Sequence, residues 1–180
     1  QRSDAKMDVT LMTSNLALYV ILIIAVIQDF KSLKVSNRLI LTGLGLSLIF
    51  RFMTGGLQNL VWALPNIAFP VIILYLFYLV HAIGAGDIKL FSVIGGFISF
   101  KELTGCIVWA FFIGAVLSLV KMLFDKNLKE RLILGKSYVV SLLSGQIMAY
   151  PYKTKTSLIH FSLPILLGLI AVQYLGVWQF

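Results

Sequence analysis

The feature of this 180-residue chain that most limits its fold is a run of 35 residues without Asp, Glu, Lys or Arg, over residues 52–86. A membrane-spanning helix needs about 20 mostly apolar residues. Hydrophobic residues make up 59% of the chain and charged residues 12%, whereas soluble domains hold roughly 45–50% and about 25%. So few polar side chains cannot cover an apolar core. The sequence therefore predicts an all-α, polytopic membrane protein rather than a soluble, fibrous or disordered one.

Six stretches are apolar enough to cross the bilayer, and we expect six transmembrane helices. The predicted spans are residues 9–28, 39–53, 57–80, 90–100, 103–120 and 156–180. The long uncharged run must contain a turn at residues 54–56, and we expect kinks at Pro65 and Pro70. Residues 137–152 are also uncharged, but their serines recur at helical spacing, which predicts an amphipathic helix in the membrane interface.

The basic residues predict the orientation. With six spans, eleven of the fifteen Lys and Arg residues fall on one side and four on the other. This asymmetry predicts a multi-pass membrane protein with that richer side in the cytoplasm and both termini outside. The net charge of +8 is then explained without a nucleic-acid partner. No cleavable signal peptide is evident. We expect residues 1–6, which precede Met7, to be an expression remnant, and residues 7–180 to be one domain.

Two of the seven acidic residues directly adjoin apolar spans. Asp29 ends the first predicted span and Asp87 precedes the fourth. Carboxylates at membrane depth are costly and tend to be functional. Because two spans separate them, both lie at the cytoplasmic end of the bundle and are able to meet.

Two adjacent carboxylates do not both ionise easily, so the pair shares a proton. Aspartic proteolysis requires such a pair, with one Asp as the base for a water and the other, protonated, polarising the scissile carbonyl. The alternative is that Asp29 and Asp87 pair separately with Lys31, Arg38 or Lys89 as interfacial anchors.

The local sequence favours the catalytic alternative. Residues 84–90 read Gly-Ala-Gly-Asp-Ile-Lys-Leu, and Gly84 and Gly86 permit unusual backbone shapes and a close approach of substrate. This stretch resembles the Gly-x-Gly-Asp-x-Lys-Leu signature of type IV prepilin peptidases. Residues 29–37, an Asp followed by a basic stretch and Asn37, resemble the family's first motif. Residues 159–164 are loosely similar to its Pro-Phe-x-x-Pro-like stretch, with His160 where a proline is common.

The resemblance implies that Asp29 and Asp87 are the catalytic pair, and that Gly84, Gly86, Asn37 and Lys89 shape the motif or the approach of substrate. It implies a prepilin-like substrate, with a basic leader and a hydrophobic helix, and no cofactor or metal. Lys89 either screens Asp87 or contacts substrate. Many family members also methylate the new N-terminus and carry two Cys-x-x-Cys pairs. This sequence has one cysteine, Cys106, and resembles the short members associated with tight-adherence (Flp) pili, so we expect cleavage without methylation.

Two other functions remain open at this point. A small transporter could bind protons or cations at the same two aspartates, although we find no inverted repeat between halves. The third possibility is an inactive scaffold of the same fold. His81 and His160 are interpreted as packing residues, and no spacing indicates a metal site. Ser157 and Ser162 have no evident catalytic partner, and Cys106 is interpreted as a small packing residue.

Overall fold

The computed structural model describes residues 2–32, 34–80, 82–124 and 161–175, and every regular element in these ranges is an α-helix. The all-α prediction is therefore confirmed for this part of the chain. The helices are α1 (Arg2–Ser32), α2 (Asn37–Leu79), α3 (Ala85–Phe97), α4 (Phe100–Phe124) and α5 (Ser162–Leu175). The predicted interfacial helix at residues 137–152 lies outside the described residues and stays a prediction.

The chain divides into two compact units, one formed by Gln1–Ile113 with His160–Phe180 and the other by Gly114–Ile159. In the second unit the described residues are the C-terminal part of α4, a regular helix ending at Phe124. The first unit contains the hydrophobic core, to which α1, α2, α3, α4 and α5 all contribute. That residues 7–180 form one domain stays a prediction.

Helix α2 is broken at the predicted turn. Gly55 and Gly56 have non-helical dihedral angles, and Gly56 has a φ of 62°, in the left-handed region that favours glycine. Arg51 and Asn66 would lie about 22 Å apart along a straight helix, yet both side chains donate to the Ile98 carbonyl. The chain therefore folds back at the two glycines, and the parts of α2 before and after them both pack against α3.

Helix α3 lies at the centre of the first unit, with every residue from Leu90 to Phe97 buried. Its last turn is packed closely on both parts of α2. A Cβ atom on Gly95 would lie 2.3 Å from the Asn66 carbonyl oxygen, and one on Gly96 would lie 2.2 Å from Ser47 Oγ. Only glycine permits this approach, so these two residues set the distance between the helices.

Small residues also bring α5 onto the first half of α4. A Cβ atom on Gly168 would lie within 3.1 Å of atoms of Cys106 and Ala110, which are one helical turn apart on α4. Small residues at this spacing are typical of helix contacts in membranes. Cys106 is fully buried, as expected of a packing residue.

In the described part of the chain, three helical segments are long and apolar enough to cross a membrane: Val9–Ser32, Asn37–Leu79 and Phe100–Lys121. The second is 43 residues long and contains the break, and Ser162–Tyr174 is a shorter apolar helix. Many large apolar side chains on these helices are exposed, as they must be where lipid is the solvent. The protein is thus membrane-embedded, while the count of six spans stays a prediction.

Candidate active site

Asp29 lies near the C-terminal end of α1, and its side chain is buried, with 8% of its surface exposed. The helix ends three residues later because Ser32 donates through Oγ to the Gln28 carbonyl (2.9 Å) and to the Lys34 carbonyl (3.0 Å). The chain then turns into α2, whose N-cap is Ser36. A carboxylate at this position lies inside the bundle rather than on its surface.

Asp87 lies in the first turn of α3, three residues after the N-cap Gly84. Its carboxylate accepts a hydrogen bond from the Gly84 backbone N–H, which is half of a capping box. This geometry differs from the unusual backbone shapes that Gly84 and Gly86 permit. Residues 85–87 are helical because Asp87 itself caps the helix, and Gly84 alone stands outside it with φ −76°.

The two motif glycines matter because they have no side chain, and not because their dihedral angles are unusual. Among the described residues the glycine with positive φ is Gly56, not Gly84 or Gly86. A Cβ atom on Gly84 would lie 3.2 Å from Asp87 Oδ2, and one on Gly86 would lie 3.9 Å from Val35. Gly84 therefore leaves room for the carboxylate, and Gly86 lies against the segment that connects α1 and α2.

The structure brings the two aspartates into electrostatic contact. Asp87 precedes the predicted span 90–100 and lies outside the three candidate spans. Burial, and then the negative charge of Asp29, raise the pKa of Asp87 to about 6, against the opposing effect of the Gly84 hydrogen bond. Because the negative charge of Asp29 disfavours ionisation of Asp87, the Asp87 carboxyl keeps its proton to higher pH than a free aspartate does.

A third residue, Ser162, belongs to this site. Ser162 is the first residue of α5 and is fully buried, and its Oγ donates to Asp29 Oδ2 at 2.6 Å. The sequence indicated no partner for Ser162, and the structure supplies a hydrogen-bond partner, the carboxylate of Asp29. The one available signal was the loose family-like stretch at residues 159–164, which contains Ser162.

Asn37 and Lys89 also meet, although 52 residues separate them. Lys89 Nζ donates to Asn37 Oδ1 at 3.0 Å, which joins the first residue of α2 to the first turn of α3. Lys89 is exposed and Asn37 is exposed, so the contact is accessible to a bound peptide. A nearby hydrogen bond, from the Ser36 N–H to Gln28 Oε1 at 2.9 Å, ties the connecting segment back to α1.

Within the described ranges no group of three His, Cys, Asp or Glu side chains is placed to hold a metal ion. The predicted absence of a metal and of a cofactor stays a prediction. His81, His160 and Ser157 lie outside the described residues.

The arrangement is that of a membrane-embedded helical protein with two interacting carboxylates at the ends of two helices. A model of the type IV leader peptidase family matches residues 16–119, more than half of the chain, and the protein belongs to this family. The matched range includes both aspartates and both motifs around them. No curated protein and no solved structure matches this chain. The family membership identifies it as a protease of the leader-peptidase type.

Proposed function

We propose that this protein is an intramembrane aspartic endopeptidase that removes the basic leader of prepilin-like substrates, with Asp29 and Asp87 as its catalytic pair. The observation that carries the proposal is the electrostatic contact between these two carboxylates. Asp29 is buried and Asp87 is partly buried. Asp29 lies near the C-terminal end of α1 and Asp87 near the N-terminal end of α3, at the same end of the bundle. The family membership supports the leader as substrate.

The two aspartates have different environments, which assigns them different roles. Asp87 is assigned as the proton donor, since burial and Asp29 raise its pKa to about 6, so that it keeps a proton to higher pH than an ordinary aspartate. It donates its proton to the scissile carbonyl oxygen while Asp29 takes a proton from the attacking water. The water oxygen bonds to the carbonyl carbon and gives a tetrahedral intermediate with two hydroxyl groups. Its C–N bond then breaks as Asp29 returns its proton to the leaving nitrogen, while Asp87 recovers a proton from one of the hydroxyls, which leaves a carboxylic acid and an amine.

Two parts of the substrate, its hydrophobic helix and its leader, have to reach this site. The hydrophobic helix of a prepilin enters from the lipid between apolar helix faces, and its leader lies at the cytoplasmic surface beside Asn37 and Lys89. These 180 residues hold one cysteine, so the Cys-x-x-Cys pairs of methylating relatives do not occur in them. We therefore propose cleavage without N-methylation.

The proposal includes the arrangement in the membrane. Six spans, both termini outside and the aspartate pair facing the cytoplasm agree with the distribution of eleven basic residues against four. We propose the plasma (inner) membrane as the compartment, in line with the leader-peptidase family.

The test is a cleavage assay with purified protein in detergent or liposomes and a prepilin-like peptide carrying a basic leader. We expect a cut after the leader, and a product mass without an added methyl group. Asp29→Asn and Asp87→Asn should each lose at least about 10³-fold in kcat, because a catalytic pair acts as a unit. Glu102→Gln is a matched control, since Glu102 caps α4 through Ser99 and belongs to no motif.

Substantial cleavage by either aspartate variant would exclude the aspartic mechanism. No cleavage by the wild-type protein, with folding shown by a cooperative melting transition, would favour the inactive scaffold. Uptake of protons or cations by liposomes that contain the wild-type protein, together with loss of this uptake in both aspartate variants, would favour a transporter.

A further inference from the structure

The hydrogen bond between Ser162 and Asp29 is the longest-range polar contact at the site, joining residues 133 positions apart. It connects the N-terminal end of α5 to the C-terminal end of α1. Both partners are buried, Ser162 completely and Asp29 to all but 8%. A buried hydroxyl needs a partner, and here that partner is the carboxylate.

The geometry of this bond is suited to an ionised acceptor. Its 2.6 Å length falls in the range of about 2.5–2.7 Å for hydroxyl–carboxylate bonds. A donor of this kind fixes the plane of the Asp29 carboxylate. Ser162 is also the first residue of α5, where the positive end of a helix dipole favours a nearby negative charge.

We propose that Ser162 is a positioning residue for Asp29, which holds this carboxylate in the orientation it needs as the base of the pair. The proposal rests on the aspartic mechanism proposed above. In this arrangement α5 takes part in the site, although the family match ends at residue 119. Ser162 touches neither the water nor the peptide and acts through Asp29.

Several charged groups lie on the elements at this end of the bundle. Asp87 and Lys89 come from α3, Lys31 from α1, and Lys34 and Arg38 from the connecting segment and the start of α2. In the described residues α5 contributes no Asp, Glu, Lys, Arg or His. Each of these groups is the same in wild-type protein and in Ser162 variants, so a change in pH profile reports the lost hydroxyl.

The experiment compares Ser162→Ala and Ser162→Thr in the cleavage assay across pH. Loss of the hydroxyl should lower kcat by about 10- to 100-fold, because small misplacements of a catalytic group have effects of this size. It should also move the acid limb of the kcat/KM profile, because the hydroxyl no longer donates to the carboxylate that acts as the base. Thr keeps a hydroxyl and should keep the wild-type limb.

Ser47→Ala is the matched control. Ser47 is equally buried, but its Oγ donates to the Leu44 carbonyl of its own helix at 2.8 Å. This variant should keep the wild-type rate and pH profile. If Ser162→Ala fails to fold, Ser162→Cys, which is nearly the same size and a much weaker donor, takes its place with the same expected result.

An unmoved acid limb in Ser162→Ala or Ser162→Cys would overturn the proposal, whatever happens to the rate, because a packing defect lowers activity without changing this titration. An acid limb moved equally in Ser162→Thr would also overturn it. Cleavage by wild-type protein with either of these results leaves the aspartic mechanism intact. No cleavage by wild-type protein removes the mechanism and the role of Ser162 together.

Discussion

Asp87 combines a structural and a chemical role in one side chain. Its carboxylate caps α3 through the Gly84 N–H, while burial and Asp29 disfavour its charge. The cap stabilises the ionised form and the surroundings stabilise the neutral form, and the surroundings have the larger effect. An acid held neutral near pH 6 at the start of a helix is a suitable proton donor to a carbonyl oxygen.

This balance predicts a pH-dependent effect on stability. The pKa of Asp87 is about 6 in the folded protein against an ordinary value of 3.8. Between these two pH values the folded protein keeps a proton on Asp87 that the unfolded chain has already released. The free energy of unfolding therefore decreases as the pH rises through about 6. Asp87→Asn does not ionise and still accepts from Gly84. We expect it to melt a few degrees above wild-type protein at pH 8, and at the same temperature at pH 4.

Thermal unfolding in mild detergent at the two pH values measures this effect, with the pH 4 comparison as its internal control. Equal melting temperatures at pH 8 would mean that Asp87 is ionised without penalty in the folded protein. Asp87→Asn is also expected to be inactive. The loss of one ionisable carboxyl then explains both the gain in stability and the loss of activity.

At the scale of elements, α3 is notable for being short. Its 13 residues extend about 20 Å, less than the roughly 30 Å of the hydrocarbon core. The carbonyl groups at its C-terminal end are satisfied by side chains of α2. Arg51 Nε donates to the Gly96 carbonyl at 2.9 Å, and Arg51 and Asn66 both donate to the Ile98 carbonyl. Such partners are what allow a helix to end inside a membrane protein.

The close packing of α3 on α2 gives a second prediction. Gly95→Ala would place a Cβ atom 2.3 Å from the Asn66 carbonyl oxygen, and backbone cannot move aside cheaply. We expect a loss of about 1–3 kcal/mol or more in the free energy of unfolding. The matched control is Gly45→Ala on α2, where nothing lies within 4 Å. It should be neutral or stabilising by about 0.5–1 kcal/mol.

Denaturation of both glycine variants, followed by circular dichroism, distinguishes them. Equal stability of Gly95→Ala and Gly45→Ala would contradict the contact between α3 and the second part of α2.

For the whole molecule, the proposed six-span topology is tested by labelling. Single cysteines at Ser32 and Lys129 should react with a membrane-impermeant thiol reagent from the cytoplasmic side, and one at Gly55 from the outside. The native Cys106 is fully buried and should remain unlabelled, which makes it an internal control. Cysteines at Lys129 and Lys153 that react from opposite sides would show that residues 137–152 span the membrane, and would reject six spans.

Much of this molecule could be predicted from local sequence. The scarcity of charge predicted helices in a membrane, because no other arrangement leaves so few polar groups to face water. Gly55 and Gly56 predicted the break in α2, because backbone freedom is a property of the residue itself. Asp29 and Asp87 were singled out because a carboxylate beside an apolar span has a high free energy wherever the rest of the chain lies.

Tertiary structure alone decided which groups meet. Neither periodicity nor motif spacing relates Ser162 to Asp29 or Lys89 to Asn37, because these pairs are 133 and 52 residues apart. Their contacts depend on how α3 and α5 pack against α1 and α2, through glycines that admit the close approach of another helix. Hydrogen bonds of about 3 Å form once the helices have packed in this way. The sequence alone does not give the distance between residues that are far apart along the chain. The sequence thus determined the chemistry available to the protein, and the packing of its helices determined which partner each carboxylate has.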